Sequence, residues 1–310
     1  MSDTNNRLER LQEAQATVNN ILLGKDHQVN LAFCCLLARG HLLIEDVPGV
    51  GKTTLAHALA RVIGSEYQRI QFTSDLLPAD ILGVSIYKRD RDEFELHPGP
   101  IFSQVILADE VNRATPKTQS ALLEGMAERQ VTIENQTHAL PDPFFVMATQ
   151  NPLDLVGTFP LPDSQLDRFL LSFSIGYPDP AAERALLKAE DRSLLLERTG
   201  EKLTPEDVRA LQQACDEIHV SESLLDYVQA LLKETRDERW FESGLSPRAG
   251  LALLSASRAH AFLDGRDYVV PEDIKAIFPG LARHRLSPSS GFSQSPDDQV
   301  RELLSQVPIP

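Results

Sequence analysis

The feature that most constrains this chain is an apolar segment at residues 42–44 that runs into a glycine-containing turn, a lysine, two threonines and an amphipathic helical stretch. Gly49 and Gly51 let backbone N–H groups curl around an anion, and the following helix presents the positive end of its dipole to the same point. Lys52 can then reach the β and γ phosphates of a nucleotide, and the Thr53 hydroxyl can ligate Mg²⁺. The pattern therefore predicts a strand, a phosphate-binding loop and a helix. The residues predicted to surround the phosphates are Val47, Pro48, Gly49, Val50, Gly51, Lys52, Thr53 and Thr54.

One position departs from the strict form of such a loop. The pattern G-x-x-x-x-G-K-[ST] begins with glycine, and this chain has Asp46 at that position. The apolar strand before the loop and the amphipathic run at 54–62 after it supply the context that the pattern requires. An ordinary strand-to-helix turn is the alternative interpretation.

Composition narrows the class of protein. A formal net charge of −15 disfavours broad binding to a phosphate backbone, which needs a basic face, so no nucleic-acid partner is expected. The three cysteines, Cys34, Cys35 and Cys215, have the spacing of neither a metal site nor a disulfide framework, and we expect them reduced in the core. No apolar stretch approaches the length of a membrane-spanning helix. These features predict a soluble, cytoplasmic protein.

Strand and helix signals alternate between residues 42 and 175, which is typical of a parallel sheet covered by helices on both faces. After residue 177 the strand signals stop. We therefore predict an α/β core at 1–177 and a smaller all-helical domain at 178–310. The predicted strands are 42–45, 67–72, 105–108, 144–149 and 169–175. The predicted helices are 7–20, 29–38, 52–63, 116–128 and 300–305, the last after a loop at 287–296, and further helices are predicted to start at Thr204, Ser221, Ser246 and Val270.

Two segments interrupt the alternation and are predicted as hairpins. The first, at 86–96, has charged residues at its centre. The second, at 130–140, alternates apolar and polar residues around a turn predicted at Asn135 and Gln136. Hairpins that project from an α/β core suggest contact surfaces, and decoration of the sheet edge is the alternative.

Polar groups follow two of the predicted strands. Asp109 and Glu110 end an apolar strand, and ligands of open parallel sheets lie beyond the carboxyl ends of strands. We expect Asp109 near a Mg²⁺ held by Thr53, usually through water, and Glu110 polarising the attacking water. Asn151 ends the next strand and is predicted to orient that water or sense the γ-phosphate. Closing a turn before Pro152 is the alternative for Asn151.

Three arginines are candidates for stabilising phosphoryl transfer. Arg168 lies where a helix meets the last predicted strand, and transfer gains greatly from an arginine delivered by a neighbour, although a pair with an acid is the alternative. Arg113, just past the acidic pair, is a second candidate or a local salt bridge. Arg248 lies in the first turn of a predicted helix, where a cation opposes the dipole at a cost of about 0.3 to 1 kcal/mol. It needs an anion, either Glu242 or a nucleotide phosphate held between the two domains.

Taken together, these segments resemble the MoxR group of AAA+ ATPases across nearly the whole chain. The matching segments are 45–53 as Walker A, 107–114 as Walker B, 148–152 as sensor 1, 161–169 with Arg168 as arginine finger, and 246–248 with Arg248 as sensor 2. The family likewise lacks the first glycine of the loop. Its fold would be a P-loop AAA+ core followed by a helical lid, with 86–96 as the helix-2 insert and 130–140 as the hairpin before sensor 1.

The resemblance implies an enzyme that binds ATP and Mg²⁺ and hydrolyses ATP in hexameric rings, with Arg168 reaching the neighbour's site. It also implies a chaperone-like role, in which the ATPase works with a separate protein bearing a von Willebrand factor A domain to mature, remodel or insert a cofactor into a client complex. A magnesium-chelatase-like motor subunit, a nucleic-acid translocase and a nucleotide-gated scaffold without turnover are the competing interpretations.

Overall fold

The computed structural model of the chain describes residues 2–90, 92–153, 156–188, 192–289 and 295–309. Within them the strands are β1 (Leu42–Glu45), β2 (Tyr67–Gln71), β3 (Gly83–Lys88), β4 (Glu93–Pro98), β5 (Val105–Asp109), β6 (Gln130–Ile133), β7 (Gln136–Ala139), β8 (Phe145–Gln150) and β9 (Leu171–Phe173). The helices are α1 (Ser2–Ile21), α2 (Asp26–Leu37), α3 (Lys52–Val62), α4 (Pro78–Leu82), α5 (Pro116–Glu128), α6 (Asp163–Leu166), α7 (Pro180–Lys188), α8 (Arg192–Arg198), α9 (Pro205–Asp216), α10 (Glu222–Thr235), α11 (Pro247–Leu263), α12 (Pro271–Ala282) and α13 (Pro296–Gln306).

Five parallel strands form the central sheet in the order β2-β5-β8-β1-β9. The register pairs Leu43 of β1 with Ala148 of β8, and Ala108 of β5 with the same Ala148. Strands that are buried on both faces consist of continuous apolar residues. Accordingly, β5 is apolar up to its last residue, Asp109, and β8 is apolar up to Thr149. The carboxyl ends of β1, β5 and β8 therefore lie side by side at one edge of the sheet.

Helices cover both faces of the sheet, as predicted. Side chains alternate along a strand, so Leu42 and Ile44 of β1 join an apolar cluster with α2, α3 and the later helices. Leu43, on the opposite face, joins a second cluster with residues of α5 and β6. All three side chains are fully buried. The polar groups of the sheet consequently gather at its carboxyl-terminal edge.

Four of the five predicted sheet strands differ in their bounds; β2 ends one residue earlier and β5 one residue later than predicted, and β8 and β9 differ for local reasons. Strand β9 is shorter than the predicted 169–175, and beyond it the Ser174 hydroxyl, rather than a ladder amide, donates to the Glu45 carbonyl at 2.7 Å. Strand β8 begins one residue later and ends one residue later than predicted. Its last residue, Gln150, extends the ladder because its carbonyl accepts the N–H of Asp46 at 3.0 Å.

Both predicted hairpins are present. Strands β3 and β4 pair antiparallel over a longer span than the predicted 86–96, with Tyr87 opposite Phe94. Strands β6 and β7 form the second hairpin, but its turn lies at Glu134 and Asn135, one residue before the predicted position. Both turn residues have positive φ, 48° and 70°, which matches the right-handed twist of a two-residue hairpin.

The residues after β9 are helical, and no strand is found among the described residues there. The predicted helix starts at Thr204, Ser221, Ser246 and Val270 are confirmed. At the first three the side-chain hydroxyl accepts a backbone N–H of the first turn, whereas at Val270 the Asp273 carboxylate accepts the Val270 N–H at 2.8 Å. Helix α13 begins earlier than the predicted 300–305. The predicted loop at 287–296 lies partly outside the described residues.

The N-terminal helices pack against both halves of the chain. Helix α1 contacts α3 and α9, and α2 contacts α11 and β9. A buried hydrogen bond from Gln212 Nε2 to the Leu36 carbonyl, 2.8 Å long, joins α9 to α2. The helical half is thus held on the core by extensive packing, and the predicted division at residue 177 stays a prediction.

The cysteines belong to this packed interior. Cys34, Cys35 and Cys215 are buried and free, and burial raises the pKa of Cys215 to about 12. They therefore act as small apolar side chains. Among the described residues, none of the helices combines the length and apolar character needed to cross a bilayer.

Candidate nucleotide-binding site

The loop between β1 and α3 has the backbone conformation of an anion cradle. Gly49 and Gly51 have φ of +85° and +103°, and Gly51 is the N-cap of α3. No heavy atom lies within 4 Å of the position that a Cβ would occupy at either glycine, so conformation rather than space requires them. The Lys52 Nζ folds back along the loop and donates to the carbonyls of Asp46 and Val47 at 2.7 and 3.1 Å. The N–H groups of the first turn of α3 face the same space.

Asp46 explains why the first glycine of the usual pattern is missing. Its φ is not positive, so no glycine is needed there. One carboxylate oxygen accepts the N–H of Val47 at 2.8 Å, and the other accepts the N–H of Gly176 at 2.6 Å. The side chain is 7% exposed. Asp46 therefore ties the start of the loop to the segment that follows β9.

The acidic pair at the end of β5 is held by Thr149 of β8. The Thr149 hydroxyl donates to Asp109 Oδ1 at 2.6 Å and accepts the N–H of Glu110 at 2.9 Å. Glu110 adopts the left-handed conformation, with φ 57° and ψ 48°, which costs a non-glycine residue of the order of 1 kcal/mol or more. That conformation turns the chain sharply after Asp109, and both carboxylates line one cleft with the loop.

Two residues of β2, which the sequence analysis does not identify, complete this network. Arg69 NH2 donates to Asp109 Oδ2 at 2.6 Å and to Gln71 Oε1 at 2.7 Å. Gln71 Nε2 in turn donates to Glu110 Oε2 at 3.0 Å. Arg113 contacts the same Glu110 oxygen at 3.4 Å, so its local salt bridge is present. In the sequence, Arg69 and Gln71 are marked only as polar residues two positions apart on a strand, and polar side chains of an edge strand are usually solvated.

The loop, the acidic pair and the end of β8 enclose a cleft of about 380 Å³, which we call the nucleotide cleft. Asn151 lines it and also closes a turn, because its Oδ1 accepts the N–H of Leu153 at 3.1 Å. The two interpretations of Asn151 are therefore compatible. Val47 and Val50 belong to the loop but do not line this cleft. The lining residues are Pro48, Gly49, Gly51, Lys52, Thr53, Thr54, Arg69, Gln71, Asp109, Glu110 and Asn151.

A more apolar cleft adjoins the loop on its other side. It contains Val50 and shares Gly49, Gly51 and Thr54 with the nucleotide cleft. The remaining walls are the end of α1, the 177–178 segment and α7, and we call the space the apolar cleft. Lys25, 8% exposed, supports one wall by donating to the carbonyls of Ile175 and Tyr177 at 2.7 and 2.8 Å.

Arg168 and Arg248 do not line the nucleotide cleft. They line a separate opening of about 370 Å³ together with Arg39, Arg129 and Arg285, and Asp167 is the one acidic residue among its lining. We call this opening the arginine cleft. Burial lowers the pKa of Arg285, its neighbour Asp167 acts in the opposite direction, and the Arg248 charge adds to the lowering.

The acidic partners considered for the two arginines are not found. Arg168 NH1 donates to the Leu123 carbonyl at 2.8 Å. Among the described residues neither Arg168 nor Arg248 forms an ion pair, so Glu242 does not neutralise Arg248. Arg248 lines the arginine cleft rather than the nucleotide cleft of its own chain, where α11 packs on α2, and the expectation that it meets a nucleotide phosphate stays a prediction.

Two family models and several known proteins match this chain. A model of the ATPase family associated with various cellular activities (AAA) matches residues 41–171, and a model of the AAA lid domain matches residues 233–303. Chaperone MoxR1 of Mycobacterium tuberculosis is 40% identical over 97% of this chain and 82% of its own length. Protein MoxR of Paracoccus denitrificans is 30% identical over 97% of this chain and 96% of its own length. The chain belongs to the MoxR family of AAA ATPases.

The similarity to MoxR-family and related proteins extends to the whole chain. YeaC of Bacillus subtilis is 45% identical over 97% of this chain and 95% of its own length. A crystal structure of a Cytophaga hutchinsonii protein, proposed there to be an ATPase, superposes with a TM-score of 0.89 at 34% identity, covering 100% of this chain and 97% of that one. The MoxR-family fold therefore includes α1 and α2, which precede the region matched by the AAA model.

Proposed function

We propose that this MoxR-family chain cleaves ATP to ADP and phosphate with Mg²⁺, and that each active site is shared between two copies of the chain. The separation of the predicted residues into two clefts is the observation that carries the proposal. The loop, both acids and Asn151 line the nucleotide cleft, whereas Arg168 and Arg248 line the arginine cleft. An arginine that stabilises phosphoryl transfer in a neighbour must lie away from its own chain's loop.

The donor groups of the nucleotide cleft fit ATP with Mg²⁺. A loop with two left-handed glycines and a lysine suits phosphate oxygens, and the Thr53 hydroxyl and Asp109 carboxylate are the oxygen ligands that Mg²⁺ prefers. Bound ATP supplies the γ-phosphoryl group, and Mg²⁺ neutralises charge on its oxygens. The apolar cleft on the other side of Gly49 and Gly51 suits the purine base.

Within this cleft, Glu110 is proposed to take the proton of the attacking water. Gln71 and Arg113 both contact Glu110 Oε2, which leaves Oε1 to receive that proton. Asn151 is proposed to orient the water through its amide. Lys52 holds the β and γ phosphates, which stabilises charge as it develops.

The arginine cleft is proposed to meet the nucleotide cleft of the next copy. Of its five guanidinium groups, Arg285 is paired with Asp167, and Arg39 is paired with Asp216 at 2.6 Å. The other three form no ion pair with a described residue, so the cleft keeps an excess of positive charge in a chain whose net charge is −15. A phosphate of a neighbouring nucleotide would supply the anion that Arg168 and Arg248 lack. Repetition of this head-to-tail contact generates a closed ring, and we propose the hexamer that the MoxR resemblance implies.

The biological role is proposed by analogy with the family. One relative carries the name Chaperone MoxR1, which supports a chaperone-like role. Following the MoxR resemblance, we propose that the chain remodels or matures a client protein, including cofactor insertion, together with a von Willebrand factor A domain partner in the cytoplasm. The acidic balance of the chain disfavours the nucleic-acid translocase. A magnesium-chelatase-like motor would use the same two clefts with a different client.

Replacement of Glu110 by Gln tests the hydrolytic step. The variant keeps the shape and hydrogen-bonding size of the side chain but cannot accept the proton, so we expect ATP binding within about twofold of wild type and a loss of turnover of about 10²-fold or more. Isothermal titration measures the first quantity and steady-state phosphate release the second. Glu128→Gln, at an exposed position of α5, is the matched control. Full turnover by the Glu110 variant would contradict the assigned role.

A further inference from the structure

One guanidinium of the arginine cleft is enclosed by protein while the others remain partly open. The Arg285 side chain is only 7% exposed, and it follows α12 in the helical half of the chain. Its Nε donates to Asp167 Oδ1 at 2.7 Å, and NH1 donates to the Leu281 carbonyl at the same distance. A buried guanidinium is tolerated only when its donors are satisfied, and here they are.

The remaining bonds of Arg285 go to the backbone on both sides of Arg168. They reach the carbonyls of Asp167 at 3.3 Å, Phe169 at 2.6 Å and Leu170 at 3.1 Å. His284 Nε2 also lies 3.0 Å from the Phe169 carbonyl. The segment that carries Arg168 is thus held from both sides by two consecutive residues of the helical half.

The Arg168 side chain has little else to fix its direction. Within the described part of the chain its guanidinium makes one hydrogen bond, to the Leu123 carbonyl, and no ion pair. The position of its backbone therefore determines where the guanidinium points. A displacement of about 1 Å in a group that must meet a transferring phosphoryl can reduce a rate about 10²-fold.

We propose that Arg285 is a positioning residue for Arg168, which links the placement of the helical half to hydrolysis in the neighbouring copy. The inference rests on the proposed function, because it assumes that Arg168 acts on a neighbour's nucleotide. The planar fork of Arg285 spans three carbonyls and one carboxylate at once, and a lysine ammonium at the same place cannot reach all of them.

The first test compares Arg285→Lys with Arg283→Lys. Arg283 is two residues away and also joins the helical half to the core, but it contacts Glu45, Ser174 and Asp297 rather than the segment around Arg168. We expect kcat to fall about 10- to 100-fold in the Arg285 variant with KM for ATP within about twofold, and both values to stay within about twofold in the control. Equal kinetics of the two variants would overturn the inference.

The second test asks whether the defect acts across subunits. Lys52→Ala copies bind ATP weakly but keep an intact arginine cleft, so mixing them with Arg285→Lys copies should restore phosphate release in assembled rings. Adding Arg168→Ala to Arg285→Lys should cause no further loss beyond Arg168→Ala alone, because both changes act through one group. Absence of restoration, or an additive loss, would show that Arg285 acts on its own subunit's site or on folding, and would overturn the inference.

A third variant and a reference mixture separate the possible failures. Asp167→Asn weakens the contact of Arg285 with the same segment without burying a new charge. If thermal melting shows that Arg285→Lys does not fold, Asp167→Asn should lower kcat in the same way. Unchanged kcat in the Asp167 variant would also overturn the inference. If the reference mixture of Arg168→Ala with Lys52→Ala stays inactive in intact rings, the shared-site proposal fails, and the inference fails with it.

Discussion

The nucleotide cleft and the arginine cleft differ in how their charges are satisfied. In the nucleotide cleft each acidic side chain has a partner from its own chain, since Asp109 binds Thr149 and Arg69, and Glu110 binds Gln71. In the arginine cleft, only Arg285 and Arg39 of the five arginines have a carboxylate partner, Asp167 and Asp216 respectively. The acids of the nucleotide cleft are therefore satisfied before any ligand arrives, whereas three guanidinium groups of the arginine cleft form no ion pair with a described residue.

This difference suggests what each region is for. A preorganised set of hydrogen bonds can act on charge that develops during a reaction, with little reorganisation. A group of exposed like charges is unfavourable by itself and gains when an anion enters it. This difference supports the proposal that ATP binds in the nucleotide cleft and that the arginine cleft of the next copy completes the reaction.

The largest expected effect separates the two clefts kinetically. Arg168→Ala should lower kcat by about 10³-fold, because the transition-state charge loses its arginine, while ATP affinity changes less than about twofold. Lys52→Ala should instead weaken ATP binding by about 30-fold, the loss of one charged hydrogen bond worth about 2 kcal/mol. Titration of labelled ATP and phosphate release at saturating ATP measure the two quantities. Arg301→Ala, 74% exposed at its side chain, is the control for removing an arginine charge.

Should Arg168→Ala weaken ATP binding as strongly as Lys52→Ala does, the division between the clefts would be wrong. An unchanged kcat in Arg168→Ala rings of normal size would contradict the shared site more directly.

A smaller expected effect is the pH dependence of stability that two buried histidines beside the arginine cleft produce. Burial lowers the pKa of His41, which lines the arginine cleft, to about 4, and that of His284, beside Arg285, to about 3. His41 Nδ1 accepts the N–H of Val146 at 3.1 Å, which requires the neutral ring. Since the unfolded value is about 6.5, the unfolded chain binds more protons below that pH, and stability falls as pH decreases. Each histidine should cost about 1.4 kcal/mol between pH 7.5 and pH 5.5.

Urea unfolding at these two pH values measures the loss, and His41→Asn should reduce it by about 1.4 kcal/mol. The depressed pKa of Asp273, about 2, does not interfere because that carboxylate affects stability only below about pH 4. A stability that rises on acidification would contradict the neutral, buried state of both rings.

The sequence predicts one cleft better than the other, for a physical reason. The phosphate loop, the acidic pair and Asn151 follow β1, β5 and β8, and neighbouring parallel strands bring their carboxyl ends to one edge whatever the rest of the chain does. The cleft that Arg248 lines depends instead on the packing of α11 against α2. These helices lie more than two hundred positions apart in the chain, so no local pattern encodes their contact.

Two features within the predicted cleft also escape local patterns. The hydrogen bond from the Gly176 N–H to the Asp46 carboxylate joins segments 130 residues apart. Arg69 and Gln71 are identified only through the register of β2 with β5, which places Gln71 opposite Asp109.

The smallest expected effect tests the organisation of the nucleotide cleft itself. Gln71→Leu removes the hydrogen bond to Glu110 Oε2 and the one that Gln71 accepts from Arg69, while the bonds of Asp109 to Arg69 and Thr149 remain possible. We therefore expect kcat to fall about tenfold, equivalent to about 1.4 kcal/mol, with ATP affinity unchanged. Gln68→Leu, at an exposed position of the same strand, is the matched control. In the Glu110→Gln background the Gln71 substitution should add little, because both act on the same proton transfer. A full tenfold loss in that background would mean that Gln71 acts on the phosphates rather than through Glu110.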